Sequence, residues 1–419
     1  MELRSSKVDA KSEIAKYSTV QLISSLLFLV LLGLITRNYA VEKIGLFFFM
    51  TACSYLLVQF PSGYGKAIQK RISERNGAYI AYYVLSMASL IGFGFLLTGL
   101  ATVIQFTIIP FTIGDITITT EIVWATVLGT VGMGGRVLSS NFFSGLTKFF
   151  TGELYYLLIN RIFALVLVYW LITYYSISII SLFIIIRLLE GVRQFIVPIY
   201  AARLSDYREI MPSKEQIAEV NQFAKWSVPV DILNDFYHRT DTVFIAYFLT
   251  AAIVGYYESS LRIVTLAGVI TSGVRKVITV KVSGFNEEGI DYTELVQRTL
   301  VAVVGIMGIL IVIVFIFGRD ILGFVYGASY TTDTAFLLVV GLMIQQGLLS
   351  VRTVFESVFN GLDMPKFNFK VTAGTIAVNL AFAPILIIKL GAVGMVLATI
   401  IADTSRAAVF YYFYRKKTK

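Results

Sequence analysis

The stretch AKYSTVQLISSLLFLVLLGLITRNYAVEKIGLF, residues 15–47, decides the fold. From Val20 to Ile35 it is almost wholly apolar, close to the run of about 20 residues that an α-helix needs to cross hydrocarbon. Lys16 precedes the run, and Arg37, Asn38 and Tyr39 follow it. A cleavable leader would end here in a small-residue cleavage site, but a second apolar run begins just past Glu42 and Lys43. The segment therefore reads as a retained first transmembrane helix joined by a short connection to a second.

The same ruler places helices near 17–36, 41–61, 79–104, 121–144, 154–174 and 176–200, and near 223–249, 252–280, 297–318, 334–360, 368–389 and 391–414. The expected fold class is an all-α membrane protein with about 12 transmembrane helices. Composition agrees. Of 419 residues 57% are hydrophobic and only 15% charged, against about 25% charged in soluble domains. The 32 Phe and 24 Tyr suit a chain whose side chains meet lipid and headgroups. Cys53 is the single cysteine, which excludes an internal disulfide and reads as a small buried hydrophobe.

The net charge of +9 does not point to nucleic acid, because the basic residues fall in short segments between apolar runs. One set of loops holds Lys66, Lys70, Arg71 and Arg75, then Lys148, then Arg203, Arg208 and Lys214, then Arg275, Lys276, Lys281 and Arg298, then Lys366 and Lys370. The basic tails ending in Lys16 and Lys419 belong with it. The opposite set holds only Arg37, Lys43, Arg319 and Lys389, and 105–120 has no basic residue. The positive-inside rule then places both termini in the cytoplasm of a cytoplasmic (cell) membrane protein.

A repeat is legible. Ala15-Lys16-Tyr17-Ser18 recurs as Ala224-Lys225-Trp226-Ser227, Ile44-Gly45-Leu46-Phe47 as Val254-Gly255-Tyr256-Tyr257, and Ser62-Gly63, Lys66 and Ile68 as Ser272-Gly273, Lys276 and Ile278. The offsets are 209, 210 and 210 (224 − 15, 254 − 44, 272 − 62). A weaker echo links Phe143-Ser144-Gly145-Leu146 to Phe359-Asn360-Gly361-Leu362. Six helices per repeat predict a bundle over 1–200, a cytoplasmic linker over 201–222 and a second bundle over 223–419, related by a pseudo-twofold axis along the membrane normal.

Charges inside such helices are costly and need a reason. Arg136, Arg161, Arg187, Arg239, Arg262, Arg352 and Arg406 are the candidates for a cationic substrate-binding cavity. Arg136 and Arg161 have no acid within one turn of their own helix, so they read as free positive charge. Asp231, Asp235, Asp241 and Glu258 are the candidates for ion coupling, beside Pro229, which should bend its helix, and the sole histidine, His238. The competing reading is structural: Arg187/Glu190, Asp235/Arg239, Glu258/Arg262, Arg352/Glu356 and Asp403/Arg406 are three or four apart and could neutralise one another. The Gly129, Gly132, Gly134 and Gly135 run lacks the context of a nucleotide loop and reads as close helix packing. No Walker motif, HExxH, cysteine cluster or large polar domain is present, so neither an enzyme nor an ATP-driven pump is expected, and no cofactor or metal.

Several motifs resemble the Wzx-type polysaccharide-biosynthesis (O-antigen) flippases of the multidrug/oligosaccharidyl-lipid/polysaccharide exporter superfamily. They are Ile35-Thr36-Arg37-Asn38-Tyr39-Ala40 with Glu42 to Phe47, Arg239-Thr240-Asp241-Thr242 with Val254 to Ile263, Asn360 to Lys366, and Leu390 to Thr399. The resemblance implies two six-helix bundles in a V around a central cavity, rocking in alternating access. It implies a polyprenyl-(pyro)phosphate-linked oligosaccharide cargo moved from the cytoplasmic to the outer leaflet for surface polysaccharide or lipopolysaccharide assembly. Implied partners are that lipid-linked glycan, membrane lipid, and glycan polymerase or ligase proteins. The alternative is an ion-coupled multidrug/cation antiporter of the same superfamily. Eight buried arginines, Arg193 included, against seven acids favour the anionic cargo.

Overall fold

The computed structural model describes residues 2–74, 79–107, 109–146, 148–204, 211–362 and 364–417, with side chains from residue 19 onward at most of these positions. Helix follows helix: α1 (Glu2–Asn38), α2 (Val41–Leu57), α3 (Gln59–Glu74), α4 (Tyr79–Thr107), α5 (Thr120–Gly145), α6 (Phe149–Leu157), α7 (Ala164–Tyr175), α8 (Ile179–Val192) and α9 (Val197–Leu204). Then come α10 (Lys214–Phe248), α11 (Ala251–Glu288), α12 (Thr293–Tyr326), α13 (Asp333–Gly361) and α14 (Pro365–Lys417). Local chemistry sets several of the ends. Ser178, Thr250 and Thr332 accept from the amides of Ser181, Ile253 and Ala335 at the starts of α8, α11 and α13, and Gly289 at φ 68 closes α11.

Seven helices are long and apolar enough to cross a membrane, eight when α2 and α3, bent by 48°, count as one broken span. The segment α8–α9, the more polar α10 and α11, and the second half of α14 bring the helical spans among the described residues to twelve. Large apolar side chains are exposed as well as buried. On α12, Val301, Ile309, Phe315 and Ile316 are exposed while Val303, Met307 and Val314 are buried on the other face, so an apolar belt looks outward. Charged side chains such as Arg187, Glu190, Arg352 and Asp403 are buried.

Four details differ from the expected helices. The second helix does not end at 61: after Val58 the chain continues as α3 through the basic Lys66–Arg71 stretch, which is amphipathic enough to stay helical. The fifth passes through a π-turn, Leu158–Phe163, between α6 and α7. Helix α10 begins at Lys214, inside the stretch over 201–222 that the sequence reads as a linker. The 105–120 connection holds an antiparallel hairpin, Phe111–Ile113 against Ile116–Ile118, turning at Gly114 with φ 60. The eleventh and twelfth helices run on as α14, split where expected by the non-helical Gly391 at φ 62.

The chain divides into two compact units, Met1–Val243 and Phe244–Lys419. In the first, α5 packs against α2, α3, α4 and α8; in the second, α13 packs against α11, α12 and α14. Glycine sets how close α5 and α8 come. A Cβ on Gly132 would lie 2.1 Å from the Arg187 carbonyl oxygen, and one on Gly135 would lie 3.2 Å from the Gly191 Cα. The glycine run is thus a helix-packing surface. Gly132→Ala should separate the two helices and lower the melting temperature of the purified protein, since overpacking costs about 1–3 kcal/mol. Gly92→Ala, where a Cβ meets nothing within 4 Å, is the matched control; equal melting temperatures would refute the contact.

Candidate functional site

The close α5–α8 approach brings Arg136 beside Arg187 and Glu190. Arg187 Nη1 donates to Glu190 Oε1 at 3.0 Å, and Arg136 Nη1 lies 3.5 Å from Glu190 Oε2. One carboxylate therefore serves two guanidiniums. Arg187 Nη2 also donates to Thr51 Oγ1 at 2.7 Å, which fixes α2 to the pair. The expectation that Arg136 is free is corrected: its acid comes from another helix, which spacing along its own helix could not reveal. Its side chain is nevertheless 30% exposed, against 5% for Arg187.

Tyr156 on α6 is the centre of the cluster. The guanidinium carbons of Arg136, Arg161 and Arg193 lie 4.9, 4.6 and 5.6 Å from its ring centroid. Arg161 projects from the π-turn, donates from Nε to Ser24 Oγ at 3.2 Å and from Nη2 to the Tyr156 hydroxyl, and stacks over Phe28 at 4.5 Å. No carboxylate among the described residues is within ion-pair distance of it. The adjacent Asn160 is buried, and its amide has no hydrogen-bond partner among the described residues. A π-turn often marks a functional position, because it redirects side chains that an α-helix would space evenly.

Arg193 is different in kind. It donates to Ser139 Oγ at 2.7 Å, to the Gly152 carbonyl at 3.0 Å and to the Arg136 carbonyl at 2.8 Å. Those neutral acceptors make it a staple joining α5, α6 and the end of α8. Three guanidiniums thus surround Tyr156, and a fourth, Arg187, joins Arg136 on Glu190; with Glu153 the second acid near Arg193, the local excess is cationic. Guanidinium forks of this kind match the oxygens of phosphate.

The remaining sequence candidates fall elsewhere. Arg239 lies 4.0 Å from the Tyr55 ring centroid, and Asp235 accepts from Gln59 Nε2, both within the first unit. Asp241 is half-buried on the same helix, α10. The side chains of Asp231 and His238 lie outside the described residues. In the second unit Arg262 pairs with Glu258 at 2.7 Å, as the i,i+4 spacing suggested. Asp403 and Arg406 do not take each other: Asp403 pairs with Arg352, and Arg406 with Glu356 at 3.3 Å. Sequence reading missed Tyr156, Tyr55 and Thr51, since no spacing rule singles out an aromatic or hydroxyl partner on another helix.

The arrangement is that of a multi-pass, all-α membrane protein, and its fold is shared with transporters of known structure. It matches a lipid II flippase MurJ in an inward closed conformation with a TM-score of 0.73 at 16% identity, covering 97% of this chain and 87% of that one. An inward-facing multidrug resistance MATE family transporter of the MOP superfamily matches with a TM-score of 0.69 at 15% identity, covering 97% and 98%. Residues 44–335 match the family model described as polysaccharide biosynthesis protein, and the chain belongs to that family. A probable low-salt glycan biosynthesis flippase, Agl15 of Haloferax volcanii, is 26% identical over 195 residues. The matched part is 45% of this chain and 40% of that relative.

Proposed function

We propose that this protein is a flippase that moves a polyprenyl-(pyro)phosphate-linked oligosaccharide from the cytoplasmic to the outer leaflet, by alternating access, for surface polysaccharide or glycan assembly. The carrying observation is the cationic cluster around Tyr156. Three guanidiniums surround one ring and a fourth shares Glu190 with Arg136, a cationic surplus that suits a pyrophosphate and repels a cation. Family membership and the flippase relative support the same reading. Both termini lie in the cytoplasm, the bundles comprise 1–200 and 223–419 with 201–222 between them, and glycan polymerase or ligase proteins take the product. Asp231, Asp235, Asp241 and Glu258 are the acids assigned to ion coupling.

The likeness to MATE transporters keeps the cation antiporter as the rival. Deleting the protein from its native cell should trap lipid-linked glycan on the cytoplasmic leaflet, measured by accessibility to a membrane-impermeant glycan-cleaving enzyme in right-side-out and inverted vesicles. Unchanged leaflet distribution, with slower efflux of a cationic dye, would transfer the protein to the antiporter class.

A further inference from the structure

The buried charges of the two units are related position by position. Arg352 follows Arg136, Gly361 follows Gly145, Asp403 follows Arg187 and Arg406 follows Glu190 by the same 216 residues (352 − 136, 361 − 145, 403 − 187, 406 − 190). Packing confirms that these positions are equivalent. A Cβ on Gly145 would lie 2.9 Å from the Gln69 carbonyl oxygen and 2.9 Å from Ile72 Cβ. One on Gly361 would lie 2.8 Å from the Thr279 carbonyl oxygen and 3.0 Å from Val282 Cβ. Those contacts are 210 apart (279 − 69, 282 − 72), the register of the Gly63/Gly273 repeat. Each unit therefore seats the end of its fourth helix on its second in the same way, and places an arginine on the fourth opposite a charged pair on the sixth.

The two copies differ in charge. In the first, the sixth helix presents Arg187 then Glu190; in the second the order of sign is reversed, Asp403 then Arg406. The second unit also has Glu356, which reaches Arg406 at 3.3 Å and Arg352 at 3.9 Å. The equivalent of Glu356 is Ser140 (356 − 216), which is exposed and one turn from Arg136. Two arginines meet two acids in the second unit, and the arginine side chains are 4% and 6% exposed. In the first, two arginines share one acid and Arg136 is 30% exposed.

We infer that the two units hold one repeated charge site in two forms, an open anion-accepting site at Arg136 in the first and a closed, self-neutralised latch at Arg352–Asp403 and Arg406–Glu356 in the second. The residue that decides between them is the one at 140 and 356. This rests on the flippase reading for the identity of the anion, but not for the asymmetry. Arg352 and Arg406 hold the second unit together and do not meet cargo, and Ser140 keeps Arg136 available by being neither acidic nor large. A carboxylate at 140 would stand to Arg136 as Glu356 stands to Arg352, four residues on along the same helical face.

Arginine-selective labelling with phenylglyoxal, mapped by mass spectrometry on the full-length protein in lipid nanodiscs, tests the asymmetry without cargo. Arg136 should label at least tenfold faster than Arg352 and Arg406, inorganic pyrophosphate should slow it, and Ser140→Glu should reduce it to the rate of the buried pair. Glu356→Gln should make Arg406 reactive, with Arg352 still held by Asp403, while leaving Arg136 unchanged. Equal labelling of Arg136 and Arg352, or a Ser140→Glu protein that labels and exports as wild type does, would overturn the inference. Geranyl pyrophosphate separates it from the flippase reading. If Arg136 labels selectively and is protected by inorganic pyrophosphate but not by the prenyl form, the open site stands and the lipid-pyrophosphate cargo falls.

Discussion

Arg136→Ala and Arg161→Ala are each expected to cut glycan export by roughly 10- to 100-fold while leaving insertion and melting temperature near wild type. The scale follows from losing one charge-assisted hydrogen bond to an anion, about 1.5–3 kcal/mol, at about 1.4 kcal/mol per tenfold. Fold integrity should survive because neither change strands a buried acid. Glu190 keeps Arg187 at 3.0 Å when Arg136 is removed. Arg161's hydrogen-bond partners are the Ser24 and Tyr156 hydroxyls and the Asn160 carbonyl, none of them charged. Arg136→Lys should recover only part of the flux, since an ammonium keeps the charge but lacks the planar fork that grips two phosphate oxygens. Arg193→Ala is the contrasting control. It removes all three hydrogen bonds by which the end of α8 is stapled to α5 and α6, whereas Arg161 makes one such bond to another helix, at Ser24, so stability falls with flux. Complementation of a deletion strain, with membrane abundance measured in parallel, separates the two behaviours. Wild-type export in both Arg136→Ala and Arg161→Ala would remove the cluster from the transport path.

The helices were readable because each depends on a local property, about 20 apolar residues, and even the break near Gly391 could be anticipated from the polar interruption at Lys389. What escaped was set by neighbours distant in sequence. The basic Lys66–Arg71 stretch looks like a loop by hydropathy, yet it continues as α3 because one face can be polar while Ala67, Ile68 and Ile72 are buried. The charged residues of the candidate site were legible from their cost in a membrane, and their partners were not. Arg187/Glu190 and Glu258/Arg262 pair within their own helices as spacing suggests. Arg136 finds Glu190 across the α5–α8 contact, and Asp403 passes over Arg406 for Arg352. Tyr156 carried no sequence signal, because an aromatic among many is marked only by the guanidiniums that converge on it.

Asp403→Ala should be among the most destabilising single changes in the second unit. Asp403 is 1% exposed and pairs with Arg352, itself 4% exposed, while Gln345 Nε2 donates to its other oxygen at 3.4 Å. Removing one member of a buried pair leaves the other charge desolvated without its counter-ion, at a cost of about 3–5 kcal/mol. Glu356 offsets little of this, since it lies 3.9 Å from Arg352 and 3.3 Å from Arg406 and already serves both. Arg352→Ala should cost a similar amount, with Asp403 then the stranded partner. The double replacement Arg352→Met/Asp403→Leu, which removes both charges and refills the space, should be much less destabilised than either alanine variant. Residues in contact are expected to deviate from additivity by about 0.5–3 kcal/mol, and thermal unfolding of wild type, the two alanine variants and their Arg352→Ala/Asp403→Ala combination in detergent measures that deviation. If the two single losses simply add in the double variant, the pair is not a latch and the second unit is held by packing alone.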